Sequence, residues 1–153
     1  MKKVMLLLAV FGLVSTLWAA DPFVGTWKLN VAMSKASDPS VMPKSEISKW
    51  EGLDNGMKAT VEGVDAEGKA YQIEVSAKYD GKDYPMKGYS LADTIAEKKI
   101  GSATLEIVTK KAGKEVERWR ITVSKDGKKQ TWIGKGTNPK GQAYNGTFVY
   151  DKQ

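Results

Sequence analysis

Phe23-Val24-Gly25-Thr26-Trp27-Lys28-Leu29 sets Phe23, Gly25, Trp27 and Leu29 on alternate positions, and Val31 continues the series. A period of two turns these residues to one face of a strand and their neighbours to the other. The rest of the chain reads as strand after strand, with no helical spacing of any length. A Gly-x-Trp on the opening strand of such a chain points to a small closed barrel.

The same alternation recurs downstream. Tyr71-Gln72-Ile73-Glu74-Val75-Ser76-Ala77-Lys78-Tyr79 is apolar or aromatic at every odd position and polar at every even one. Trp119, Ile121 and Val123 oppose Arg118, Arg120 and Thr122, while Tyr144, Gly146, Phe148 and Tyr150 share one side. Shorter runs predict strands over 45–50, 57–61, 94–100, 103–109 and 131–135. Between the runs lie Asp54-Asn55-Gly56, Ala66-Glu67-Gly68, Asp80-Gly81, Ala112-Gly113, Asp126-Gly127 and Asn138-Pro139-Lys140-Gly141. These residue types supply the positive φ angles of hairpin turns. The expected fold is all-β, an antiparallel up-and-down barrel of about 8–10 strands.

Residues 32–44 break the pattern. Pro39 and Pro43 bracket a Ser-rich stretch, which predicts a long loop with one helical turn over 34–37, since proline resists a central strand. Gly68-Lys69-Ala70-Tyr71 is echoed by Gly141-Gln142-Ala143-Tyr144, read as two similar hairpin exits.

Ahead of the first strand, Lys2 and Lys3 precede an uncharged run from Val4 to Leu17 and the small pair Ala19-Ala20. That layout predicts a signal peptide over 1–20, cleaved near Ala19-Ala20, and a secreted or periplasmic domain over 21–153. The run is short of the ~20 apolar residues that span a bilayer, so no stable membrane span is expected after cleavage. The formal charge of +6 falls to +4 once Lys2 and Lys3 are set aside, and the basic residues are interspersed with acids. Lys110-Lys111 beside Glu115 and Glu117 is such a case, read as solvated surface. Nucleic acid, which asks for a concentrated basic stripe, is not an expected partner.

The chain has neither cysteine nor histidine. Disulfides are excluded, as are Ser–His and Cys–His nucleophile systems, His-ligated haem and ordinary zinc sites. The acids fall mostly at outward or turn positions, such as Glu74, Asp80 and Asp126, and no glycine-rich phosphate cradle is present. The expectation is no enzyme, no metal and no cofactor.

Alternation alone leaves sandwich and barrel both open, although only a closed barrel removes sheet edges. A resemblance bears on the choice. The strand Phe23–Leu29 resembles the opening strand of the fatty-acid-binding proteins, and its Gly25-x-Trp27 is shared with the lipocalins, the calycin group. The turn Gly113-Lys114-Glu115, the strand Arg118-Trp119-Arg120, the turn Asp126-Gly127-Lys128 and the closing Tyr150-Asp151-Lys152 are similar in layout to the same proteins. An export signal, Gly-Thr-Trp-Lys-Leu-Asn and Lys78-Tyr79-Asp80-Gly81-Lys82-Asp83-Tyr84-Pro85 together resemble bacterial secreted proteins described as lipocalin-like. That likeness covers most of the mature chain and lends no activity. It implies that the Trp27 indole plugs one barrel end with a cation from Arg118 or Arg120 over its ring, and the residues alone read those arginines equally as surface. The chain departs from the fatty-acid-binding pattern in two places: 32–44 is too short for a two-helix lid, and Phe148 stands where a carboxylate-gripping Arg would be.

The interior expected from these patterns is lined by Tyr71, Ile73, Val75, Tyr79, Trp119, Ile121, Tyr144 and Phe148. Such a wall either holds a small, mostly hydrophobic molecule or is simply a filled core. The first reading makes the protein a ligand carrier, with Gly25, Trp27, Arg118 and Arg120 in structural roles. The second makes it a periplasmic interaction module, such as a hydrolase inhibitor, meeting a protein partner through the loops Pro39–Pro43 and Asp83–Tyr89.

Overall fold

Ten antiparallel strands close into a barrel in the computed structural model, which describes residues 21–153; the export segment expected over 1–20 lies outside the described residues. The strands are β1 (Gly25–Leu29), β2 (Lys35–Ala36), β3 (Ser45–Leu53), β4 (Gly56–Val64), β5 (Ala70–Lys78), β6 (Asp80–Lys87), β7 (Thr94–Gly101), β8 (Thr104–Lys111), β9 (Lys114–Val123), β10 (Lys129–Thr137) and β11 (Ala143–Lys152). From β3 to β11 each strand pairs with the next, and β1 lies between β3 and β11. Closure is made by Trp27 opposite Lys152 and Leu29 opposite Tyr150. The two-residue β2 adds a short strap on β11, with Ala36 opposite Gly146. No strand of the cylinder is left with a free edge to template aggregation.

Turn chemistry sets the register. Lys111 faces Lys114 across the two-residue turn Ala112-Gly113, whose φ angles are +48° and +76°. Positive φ at both central residues is the hairpin geometry that matches strand twist. Alanine is a costly choice there, and the Asp93 carboxylate offsets it by accepting from the Ala112 N–H at 3.0 Å. At the two echoed hairpins, Asp65 and Asn138 play one part. Each side-chain Oδ1 accepts from the backbone N–H two and four residues on, Glu67 and Lys69 in one case and Lys140 and Gln142 in the other. The echo is a shared hairpin hydrogen-bond pattern.

Two local expectations are corrected. Residues 34–37 contain the strand β2, and the helical turns fall on either side, as 3-10 turns at Val31–Met33 and Pro39–Val41. Asn30 and Asp38 cap them, the side chains accepting from the N–H of Met33 and Ser40. Asp80–Lys87, expected as a turn and loop, is strand β6, with Tyr84 opposite Ile95 of β7. The second interaction loop of the partner reading is therefore mostly built into the wall.

One end of the cylinder is solid. Phe23, Trp27, Met57, Leu105 and Ile121 are 0 % exposed. Burying one indole of this kind contributes up to about 5 kcal/mol at ~25 cal/mol per Å². Its N–H donates to the Phe23 carbonyl at 2.8 Å, so nothing polar on Trp27 is left unpaired. The cation over the ring is Lys152, with Nζ 5.1 Å from the centroid. Arg118 and Arg120 do not fill that place: Arg118 turns outward to Glu106 and Glu115, at 3.0 and 2.7 Å, and Arg120 is exposed. Gly25 explains its own half of the Gly-x-Trp: its φ is +141°, and a Cβ would sit 2.6 Å from Lys152 Cε. The glycine leaves the path by which the lysine stem reaches the indole.

Candidate lumenal binding site

Inward positions follow from the ladders. Glu46, Gly63 and Tyr71 stand in a row across β3, β4 and β5. Glu117, Gly136 and Tyr144 stand in a matching row across β9, β10 and β11. In each row the tyrosine reaches over the glycine to the glutamate two strands away. Tyr71 donates to Glu46 Oε2 at 2.5 Å and Tyr144 to Glu117 Oε1 at 2.6 Å. The glycines are the condition for this crossing. A Cβ on Gly63 would sit 2.5 Å from Tyr71 Oη, and one on Gly136 would sit 2.8 Å from both Tyr144 Oη and Glu117 Cγ.

More hydroxyls complete each station. Tyr150 donates to Glu46 Oε1 at 2.6 Å. Tyr89 donates to Glu117 Oε1 at 2.8 Å, and Thr109 to Oε2 at 3.0 Å. Glu117 is buried, which corrects its expected place on the solvated surface beside Lys110-Lys111. A bulge makes the difference: Thr109 faces Glu117 while Lys110 faces Glu115, so Val116 is skipped in the ladder. Glu115 thereby turns out to Arg118 and Glu117 turns in.

Burial is the main force raising the Glu46 carboxyl above its ordinary range; the Tyr150 and Tyr71 hydrogen bonds oppose it, and the nearby Glu117 charge adds to it. Burial and the glutamate charges hold Tyr150 and Tyr89 well above the ordinary tyrosine value. A third inward glutamate, Glu97 of β7, is 2 % exposed, and burial alone pushes its carboxyl up to about 8. Its Oε2 has no hydrogen-bond partner among the described residues, and neither do Trp50 Nε1 and Gln130 Nε2.

Between the solid end and the two stations, the inward wall is incompletely covered. Val61, Ile73, Met86 and Trp132 point inward, yet each remains part-exposed. An open cleft of ≈ 390 Å³ lies on the rim of β9, β10 and β11, lined by outward residues such as Glu115, Lys135 and Asn145 as well as by Glu117, Gly136 and Tyr144, and by none of these four wall residues.

The expected lining residues divide by depth. Tyr71 and Tyr144 belong to the stations, and Ile73 to the part-exposed wall. Val75, Trp119, Ile121 and Phe148 join the packed core, where Trp119 meets Phe148 edge-on at 5.2 Å. Tyr79 sits near the solid end, donating to Asp21 at 3.2 Å under Lys99 Nζ, which is 5.0 Å from its ring. Glu46, Glu97, Glu117, Tyr89 and Tyr150 are site residues that the sequence patterns do not single out. The available signal is the inward parity of Glu46, two positions from Ser48 and four from Trp50. Among the described residues no group of three or more acids is arranged to hold a metal ion, and no helix is long and apolar enough to cross a membrane.

No family model matches the chain, and no curated protein matches it either.

Proposed function

We propose that this domain is an exported, lipocalin-like carrier that takes a small, mostly hydrophobic molecule into the barrel lumen, as a binding protein with no catalytic step. The observation that carries the reading is the part-exposed inward wall of Val61, Ile73, Met86 and Trp132, set between a sealed floor and a polar collar. Apolar side chains that face inward and still reach solvent gain ~25 cal/mol per Å² when a ligand covers them. The hydroxyls and carboxylates above them would fix the orientation of a polar end, the usual division of labour in a small-molecule site.

The test is titration with the neutral dye N-phenyl-1-naphthylamine. The full 153-residue chain is expressed so that the host processes its N-terminus. One dye per protein should gain fluorescence and quench tryptophan emission, with Trp132 on the wall and Trp50 5.9 Å from it as the reporters. Dye indifference, with an unchanged melting temperature across a panel of apolar molecules, refutes the reading.

A further inference from the structure

The outer wall of the barrel carries its charge unevenly. Strand alternation turns Glu46, Glu97 and Glu117 inward and so withdraws three acids from the surface. On β3, β4 and β5 each outward lysine still has an acid on the outward face of its own strand: Glu51 for Lys49, Glu62 for Lys58 and Glu74 for Lys78. The wall from β9 through β10 and β11 to β1 differs. Its outward acids are Glu115 and Asp151, and a cation of the same wall holds each, Arg118 at 2.7 Å in the first case and Lys129 in the second. Lys28, Arg120 and Lys135 of that wall, and Lys35 of the β2 strap lying on it, make no ion pair among the described residues.

Register sets an apolar residue among these cations. Arg120 of β9, Ile133 of β10, Thr147 of β11 and Lys35 of β2 stand in one row, each opposite the next. At ~4.8 Å per strand the row is roughly 14 Å wide. Ile133 is 59 % exposed, the highest value among the exposed large apolar side chains described, and Lys135 is the next outward residue on its strand. Met33, 54 % exposed, stands two residues ahead of Lys35, and its Sδ lies 4.0 Å from Lys129 Nζ of β10, which puts it on the same wall.

This composition favours one kind of partner. Protein interfaces gather aromatic rings and are depleted in lysine. The outward positions of β1, β9, β10 and β11 hold no aromatic residue, and three of the four unpaired cations are lysines. Near an anionic lipid surface each lysine or arginine contributes about 1 kcal/mol, and the long stem lets the charge reach a headgroup while apolar neighbours enter the interface. We infer that the wall from β9 to β1, with its strap, docks on an anionic bilayer surface: Lys28, Lys35, Arg120 and Lys135 meet the phosphates, and Ile133 and Met33 enter the interface. The use of that contact, loading an apolar cargo held in the bilayer, rests on the lumenal-carrier reading; the contact itself does not.

The test is co-sedimentation of the full chain, processed by its host, with vesicles of phosphatidylcholine alone or of phosphatidylcholine and phosphatidylglycerol in equal parts. The anionic vesicles should bind on the order of 100-fold more tightly at low salt, and about 0.5 M salt should remove most of that preference. Arg120→Gln with Lys35→Gln should weaken anionic binding about 25-fold, at roughly 5-fold per cation, and Ile133→Ser about 5-fold. Lys78→Gln with Lys98→Gln, an equal loss of net charge on other strands, should leave it nearly unchanged. Equal binding to both kinds of vesicle, no binding to either, or equal weakening by the two double variants overturns the inference. So does capture of soluble polyglutamate as tightly as anionic vesicles with no response to Ile133→Ser, which makes the partner an acidic polypeptide. Titration with N-phenyl-1-naphthylamine separates the two readings: a protein that binds anionic vesicles but no dye keeps the docking wall and loses the lumenal carrier, and the converse result does the opposite.

Discussion

Glu97→Gln should abolish a pH dependence of stability that the carboxyl imposes on the folded protein. In the unfolded chain this group titrates near 4.5, and burial moves it to about 8 in the barrel. The folded state thus holds the proton more tightly, so Glu97 favours folding most below pH 4.5, and that advantage is lost as pH rises towards 8. At about 1.4 kcal/mol per pH unit the ceiling on the loss is roughly 5 kcal/mol. Relaxation and water entry bring the expected value to about 3 kcal/mol. For a domain of this size each kcal/mol moves the melting temperature by about 3–4 °C, so the loss is worth on the order of 10 °C. The other titratable group facing Glu97 is Tyr79, held above its ordinary value, so it keeps its proton throughout the window. Lys99, on the same strand, stays paired to Asp21. Other carboxyls, Glu46 among them, add slope of the same sign. The measurement is therefore the difference between the melting curves of the original protein and the variant at pH 5 and pH 8. The glutamine amide brings its own unpaired donors at a pH-independent cost, so the slope and not the absolute temperature is read. Parallel profiles within about 2 °C would refute the account of Glu97 as an unpaired buried acid.

Gly63→Ala and Gly136→Ala each place a methyl group in the path of a tyrosine and should cost about 1–3 kcal/mol in urea unfolding, whereas an alanine at Gly81, where a Cβ meets nothing within 4 Å, should cost about 1 kcal/mol through its φ of +75° alone. Trp27→Leu should cost about 3 kcal/mol or more, while Lys152→Met should cost less than about 1 kcal/mol because the ring–cation contact is a minor part of that end. Tyr150→Phe strips Glu46 of one of its two donors and should cost about 1–3 kcal/mol; chemical denaturation at pH 5 and pH 8 should show the larger loss at the higher pH, where the carboxylate is ionised.

The barrel was legible because alternation and turn residues are local signals. Tyr71–Tyr79 needs no partner strand to announce its buried face, and Asp65 and Asn138 shape their hairpins through bonds two and four residues away. What failed was equally local in origin. Asp80–Lys87 carries Gly81 and Pro85, residues that weaken a strand reading, yet it is held in the wall by pairing with β7 and by Met86 facing Val75. Lys35 and Ala36 become a strand only because β11 runs past them.

The acid collar was hidden for a different reason. A glutamate in a strand is read as an outward residue because an ionised carboxyl alone in a core is costly, and that inference ignores hydroxyls arriving from other strands. Glu46 is supplied by β5 and β11, and Glu117 by β8, by β11 and by Tyr89 between β6 and β7, so no window of sequence contains a station. The rows Glu46–Gly63–Tyr71 and Glu117–Gly136–Tyr144 nevertheless left a trace. Gly63 to Gly136 and Tyr71 to Tyr144 are both offset by 73 residues, while the glutamates are offset by 71. The hairpin therefore echoes itself in sequence, but its acid partner slips out of step, and the bulge at Val116 decides whether Glu115 or Glu117 turns inward. A repeated hairpin that hands its tyrosine to a glutamate on a separate strand is a device that only register reveals. In both rows the tyrosine proton is spent on the protein's own carboxyl group, which leaves each tyrosine oxygen only its lone pairs to offer.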